Sequence, residues 1–164
     1  MPSPPKNSED EEMARAPQHQ VRTIIGWREW VRIPELGSWP VKAKVDTGAR
    51  SSALHAEKIE FFEREGQAWV RFEVQPHQRS VRDAAAAEFP LHDRRMVRSS
   101  SGHEELRAVI RPQIQVLGKR FAIELTLTNR DEMGFRMLLG REALKGRFLV
   151  DPNASFLGGR PTSE

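Results

Sequence analysis

The chain has 164 residues, 38% hydrophobic and 30% charged, with a net charge of +3, which is one domain with room for a core and no more. It contains no cysteine, which excludes a disulfide framework, thiolate zinc sites and a cysteine nucleophile, and suits a reducing compartment. No run reaches membrane-spanning length, so a cytoplasmic protein is expected.

Residues 1–20, "MPSPPKNSEDEEMARAPQHQ", lack the apolar centre of a signal peptide and read as a disordered acidic tail. Lys6 and Arg15 face Glu9, Asp10, Glu11 and Glu12 there, giving −2 and leaving +5 on the remainder. From residue 21 the hydrophobic pattern has mostly period two. "RTIIGWREWVRIPEL" predicts a first strand bent at Gly26, and "GSWP" a turn before the strand "VKAKVD". "IEFFEREGQAWVRFEV" predicts a hairpin, and the alanines of "PHQRSVRDAAAAEF" a short helix. "RRMVRSSSGHEELRAVIRPQIQV" reads as strand, small polar turn, strand, and "LGKR" turns into the strand "FAIELTLT". "MGFRMLLG" predicts a short apolar strand, "REALKG" a helix stopped by Gly146, and "RFLVDPNASFL" a return to extended chain. Many short strands joined by hairpins, with one late helix, predict a mainly β fold closed into a small barrel over residues 21–158, with 159–164 a flexible end.

The strand "VKAKVD" runs into Asp46-Thr47-Gly48-Ala49. Its inward residues are Val41, Ala43 and Val45, so Asp46 emerges at the edge of the core, where a carboxylate is costly unless it is used. Gly48 and Ala49 leave room beside it for backbone or substrate, and Thr47 offers a hydroxyl to brace the loop. A simple strand-ending turn would use the same residue types. The second feature, "RMLLGREAL" at 136–144, is an apolar strand, then Gly140-Arg141, then a helix.

An alternating strand ending in D-T-G-A, a Gly-tipped hairpin and a late hydrophobic-hydrophobic-Gly-Arg before a helix resemble a retropepsin-like aspartic protease. "DTGARSSALHA", "VRSSSG", "LTLTNRDEMGFRMLLGREAL" and "FLVDPNASFL" resemble more closely the bacterial family called RimK-related or ATP-dependent zinc proteases. The resemblance spans about residues 21–158. It implies a homodimeric aspartic endopeptidase, because the chain has one Asp-Thr-Gly and the chemistry needs two carboxylates, one as base toward water and one as acid toward the amide. Asp46 would be catalytic, with Thr47 and Gly48 bracing the paired loops. Ala49 and Arg50, with the flap Ser99, Ser100, Ser101 and Gly102, would meet substrate, and Gly140, Arg141 and Glu142 would support the site. Retropepsins carry an acid after D-T-G-A that pairs with the late arginine. Here Arg50 stands there and would face Arg141, with Glu142 left to supply the negative charge. The terminal "RFLVDPNASFL" is the expected part of the dimer interface.

Two other readings stand beside this one. The family name suggests a non-catalytic module regulating an ATP-grasp glutamate ligase that acts on a ribosomal protein. A metallopeptidase would use the histidines, but "HEELR" puts Arg107 where the zincin motif needs a second histidine, and His55, His77, His92 and His103 have no ligand spacing. No cofactor is therefore expected, zinc being the one candidate. "LGKRF" lacks the earlier glycine and the Ser/Thr of a phosphate loop. Arg50, Arg94, Arg95 and Arg98, on the cleft and flap segments, favour an acidic peptide substrate. A chain with no tyrosine and no recognition motif makes nucleic acid a poor fit.

Overall fold

The computed structural model describes residues 21–76, 84–98, 101–129 and 134–160. In chain order the elements are β1 (Thr23–Gly26), β2 (Arg28–Arg32), a 3-10 turn (Pro34–Leu36), β3 (Pro40–Val45), β4 (Ser52–His55), β5 (Glu57–Arg64) and β6 (Gln67–Val74). Then come β7 (Ala85–Pro90), β8 (Asp93–Arg98), β9 (Glu104–Ile110), β10 (Gln113–Val116), β11 (Lys119–Ala122), β12 (Leu125–Thr128), β13 (Met137–Leu139), α1 (Arg141–Leu144) and β14 (Phe148–Asp151). The fold is mainly β with one short helix, as the alternating pattern predicts. No helix among the described residues is long and apolar enough to cross a membrane.

The strands form a nine-stranded sheet in the order β11-β10-β2-β3-β13-β4-β12-β9-β8, a three-stranded sheet β5-β6-β7 and a two-stranded ribbon β1-β14. The expected closed barrel is not found: the sheets are open. A count of strands does not say whether the outer two meet. Here the outer strands of the large sheet, "KRFA" and "DRRMVR", carry the charged side chains that keep an edge from pairing onward. The alanine run is also corrected. Ala85–Ala87 belong to β7, not to a helix, because β6 pairs with that segment from Val74↔Ala85 to Trp69↔Pro90. A neighbouring ladder outweighs alanine's weak helix preference. Residues 77–83 of that stretch, like the tail at 1–20, lie outside the described residues.

The expected hairpin is present, and two of the expected strands are each divided. The hairpin β5–β6 turns at Glu65 and Gly66, both with positive φ (52° and 77°), the two-residue geometry whose twist suits paired strands. The bend at Gly26 is sharp enough to separate β1, which pairs in parallel with β14 (Thr23↔Phe148 to Gly26↔Asp151), from β2, which pairs with β3. The predicted strand "FAIELTLT" is likewise divided between β11 and β12.

The core is built from the alternating faces of these strands: Val31 of β2, Val41, Ala43 and Val45 of β3, Leu54 of β4, Leu125 and Leu127 of β12, and Met137 and Leu139 of β13. One carboxylate lies among them. Glu29 shares the inward face of β2 with Val31 and is 1% exposed. It accepts a hydrogen bond from Gly26 N–H at 2.8 Å and one from Gly158 N–H at 3.3 Å. Around this anchor the C-terminal segment lies along β2: Ala154 O accepts from Trp27 N–H, Phe156 N–H donates to Arg28 O, and the Phe156 ring stacks on Trp30 at 5.7 Å. Glu29→Ala leaves two amides without their acceptor. It is expected to cost about 2–4 kcal/mol, measured by denaturant unfolding, and to expose residues 154–160 to limited proteolysis. Unchanged stability would show that Glu29 is not the anchor.

Candidate active site

The Asp46 loop is placed by a pairing between distant parts of the chain. β3 and β13 run parallel in register, Ala43↔Met137, Lys44↔Leu138 and Val45↔Leu139, and β13 pairs antiparallel with β4 on its other side. The short apolar run Met137–Leu139 is what a strand flanked on both sides requires. The ladder continues past β3, because Asp46 N–H donates to Leu139 O at 2.8 Å. Asp46 and Gly140 therefore leave the sheet side by side.

Beyond that point the loop closes on itself. Gly48 N–H donates to Asp46 Oδ1 at 3.0 Å, and Ala49 N–H to Asp46 O at 3.3 Å. Asp46 is half-buried, while Thr47, Gly48 and Arg50 are exposed. The carboxylate thus keeps one oxygen on a backbone donor at the rim of the core. That geometry fixes the orientation of the carboxylate while leaving it within reach of water, as a general acid or base would require.

Gly140 and the residues after it hold the loop from the other side. Arg141 N–H donates to Ala49 O at 2.8 Å and Glu142 N–H to Arg50 O at 3.1 Å. The Arg141 guanidinium donates from Nη1 to Thr47 O at 3.0 Å and Gly48 O at 3.1 Å. Arg141 therefore meets backbone carbonyls where the sequence reading has it opposite Arg50, and no carboxylate is needed to hold it. Ser52, buried at the start of β4, accepts from Gly140 N–H at 3.1 Å through its hydroxyl. The sequence reading missed Ser52. Its signal was alternation, which puts Ser52 on the inward side with Leu54.

The remaining expected residues divide. Ser101 and Gly102 sit at the tip of the β8–β9 hairpin, and Gly102 has φ 85°; Ser99 and Ser100 lie outside the described residues. Beside the loop a cleft of about 610 Å³ is lined by Arg50, Arg95, Arg111, Arg147, Glu124 and Glu142, among others. Arg95 is already engaged there, donating to Asp93 and Glu124 at 2.9 Å each. That hydrogen bond, ahead of the Coulomb attraction, holds the Glu124 carboxyl below its ordinary range. Arg98 pairs with Glu104 at 3.4 Å, and Arg94 lies over the Phe61 ring. Among the described residues no three His, Cys, Asp or Glu gather as a metal would need. His55 is buried, His92 meets Glu124 and His103 is exposed; His77 lies outside the described residues.

A Cβ added at Gly140 would stand 2.4 Å from Ser51 O and 2.9 Å from Arg50 O, contacts with backbone that no rotamer relieves. Gly140→Ala is expected to destabilise by about 1–3 kcal/mol and to displace the Asp46 loop. Thermal unfolding reads the first effect, and amide chemical shifts of Gly48 and Ala49 read the second.

Comparison with known proteins shows the family. The family model described as RimB-like, retropepsin-like aspartic endopeptidase RimB, matches residues 24–161. Two relatives named probable alpha-L-glutamate ligase are 51% identical over 136 residues, from Shewanella pealeana, and 47% identical over 135 residues, from Desulfotalea psychrophila. The matches cover 83% and 82% of this chain but 30% and 29% of those proteins, so the chain spans less than a third of the curated relatives it matches. A crystal structure of a Legionella pneumophila protein of unknown function superposes with a TM-score of 0.69 at 28% identity, covering 84% of this chain and 98% of that one. By its family match and these relatives, the chain belongs to the RimB-like family of retropepsin-like proteins.

Proposed function

We propose that the protein is an aspartic endopeptidase acting as a cytoplasmic homodimer on acidic, glutamate-rich peptides. The observation that carries this reading is the Asp46 loop, a carboxylate held by Gly48 N–H and backed by Gly140 and Arg141. It stands in a family described as retropepsin-like aspartic endopeptidases. One chain supplies one such carboxylate. Two copies related by a two-fold axis would put two together, sharing a proton because like charges a few Å apart do not both ionise cheaply. One Asp46 then takes a proton from water as it attacks the peptide carbonyl, and the other gives its proton to the departing amine. The basic cleft beside the loop and the relatives' name as glutamate ligases support an acidic substrate. The same name supports a second reading, a non-catalytic module that works beside a glutamate ligase.

Asp46→Asn separates the two. An amide has nearly the shape of a protonated carboxyl but is not a general base. The variant is expected to fold as the parent does and to lose peptidase turnover on a glutamate-rich peptide. Turnover retained in Asp46→Asn would remove the aspartic mechanism, whereas a parent inactive on every peptide favours the module.

The surface for dimerisation is sought on the β1–β14 ribbon. Its outer side exposes Ile24 (47%) and its register partner Leu149 (52%), an apolar pair on a ribbon that, among the described residues, has two strands only. Truncation after Gly146 would also withdraw Phe148 from the core, so a single charge is the sharper probe. Leu149→Asp is expected to shift the protein to monomer in analytical ultracentrifugation and to abolish turnover with its melting temperature kept. A monomeric sample with full specific activity would overturn the shared dyad.

A further inference from the structure

The chain enters its first strand beside the arginine-lined cleft. Thr23 N–H, at the start of β1, donates to the carbonyl of Arg147 at 3.1 Å, and Arg147 is one of the residues lining that cleft. β1 and β14 run parallel from Thr23↔Phe148 onward. The residues before Thr23 therefore leave the ribbon on the side from which α1 and Arg147 arrive. They leave at the surface, with Val21 exposed.

Charge in the cleft is out of balance. Four arginines line it against two glutamates, a formal excess of two positive charges. Arg95 already holds Glu124 and Asp93, and Arg147 lies over the Phe121 ring at 4.1 Å. Arg50 and Arg111 are exposed, and among the described residues their guanidinium groups meet no carboxylate, carbonyl or ring. Like charge gathered around one concave surface draws in an anionic group and turns cations away.

The complementary charge lies in the same chain. Glu9, Asp10, Glu11 and Glu12 are four consecutive carboxylates. Ten residues, 13–22, separate them from Thr23. A stretch of that length spans up to about 35 Å when extended, and the lining of the cleft begins at Thr23's own hydrogen-bond partner. An acidic segment tethered so closely meets the cleft at an effective concentration on the order of millimolar.

We infer that the acidic run at residues 9–12 docks in the arginine-lined cleft of its own chain, on Arg50 and Arg111, and competes there with acidic substrate. The docking stands on charge and connectivity alone. Its effect on turnover rests on the endopeptidase reading, for which it supplies an intramolecular inhibitor. Exposed arginines attract through solvent, so the contact weakens as salt screens it.

The test compares the parent with a chain in which the run is neutralised by E9Q, D10N, E11Q and E12Q. In isotope-labelled protein the Nε–Hε signals of Arg50 and Arg111 are expected to differ between the two at about 20 mM salt and to coincide at about 0.5 M. Glu60→Gln with Glu63→Gln, both exposed on β5, controls for net charge and should move neither signal. Signals that already coincide at low salt would overturn the docking. Differences that fade on dilution would assign the run to another copy and overturn the intramolecular contact. In turnover, neutralising the run is expected to lower KM for a glutamate-rich peptide about tenfold, with kcat within about twofold. That is the effect of removing a tethered competitor at about 1 mM whose own Kd is about 0.1 mM. An unchanged KM would overturn the competition while leaving the peptidase reading intact. Arginine signals that differ as expected in a protein inactive on every peptide would support the docking and remove the peptidase reading.

Discussion

The parallel pairing of β3 with β13 is the constraint on which the rest depends. It sets Asp46 N–H against Leu139 O and Gly140 against the carbonyls of Arg50 and Ser51. Remove the register and the loop has no floor, Arg141 has no carbonyls to hold, and Ser52 has no amide to receive. The contact is made of backbone, so its tolerance is narrow. A methyl group at position 140 has nowhere to go, whereas a change at exposed Arg50 costs the scaffold little. The site's order is inherited from the sheet and not from the four residues of the loop.

The chemistry and the packing make different demands on the same residues. Val41, Ala43 and Val45 fix β3 by burying one face, and that burial is what sends Asp46 to the rim. The carboxylate is neither buried, where it would be expensive, nor fully solvated, where it would wander. Glu29 shows the opposite solution. It is fully inside, and it is tolerable because Gly26 and Gly158 bring amides to both of its oxygens. Both acids sit on alternating strands. Backbone donors turn one into a fastening, while partial exposure leaves the other within reach of solvent.

Much of this was legible in the chain. Period two gave nearly every strand, and D-T-G-A with the late Gly-Arg picked out the two segments that meet. Three things were not legible, each for a physical reason. Whether the outer strands meet to close a barrel depends on twist and register summed over nine strands, which no local pattern encodes. The alanines of β7 have weak preferences of their own and took the conformation their neighbour β6 offered. Arg141 was expected opposite a side-chain charge, but a guanidinium serves carbonyl oxygens equally well, and the turn presents two of them. Glu29 could have been read: a charge in phase with Val31 on the buried face is a signal that alternation itself supplies.

The long separation along the chain between β3 and β13 also orders events in time. A chain leaving the ribosome presents Asp46 early, when β4, β12 and β13 do not yet exist to receive it. Until Arg141 has emerged the carbonyls of Thr47 and Gly48 lack their guanidinium donor, and until Gly158 has emerged Glu29 lacks its second amide. Parallel strands joined late in synthesis fold slowly, because the loop between them must close before any contact repays its entropy. On the endopeptidase reading, a protein whose sheet is completed this late does not cut while it is being made.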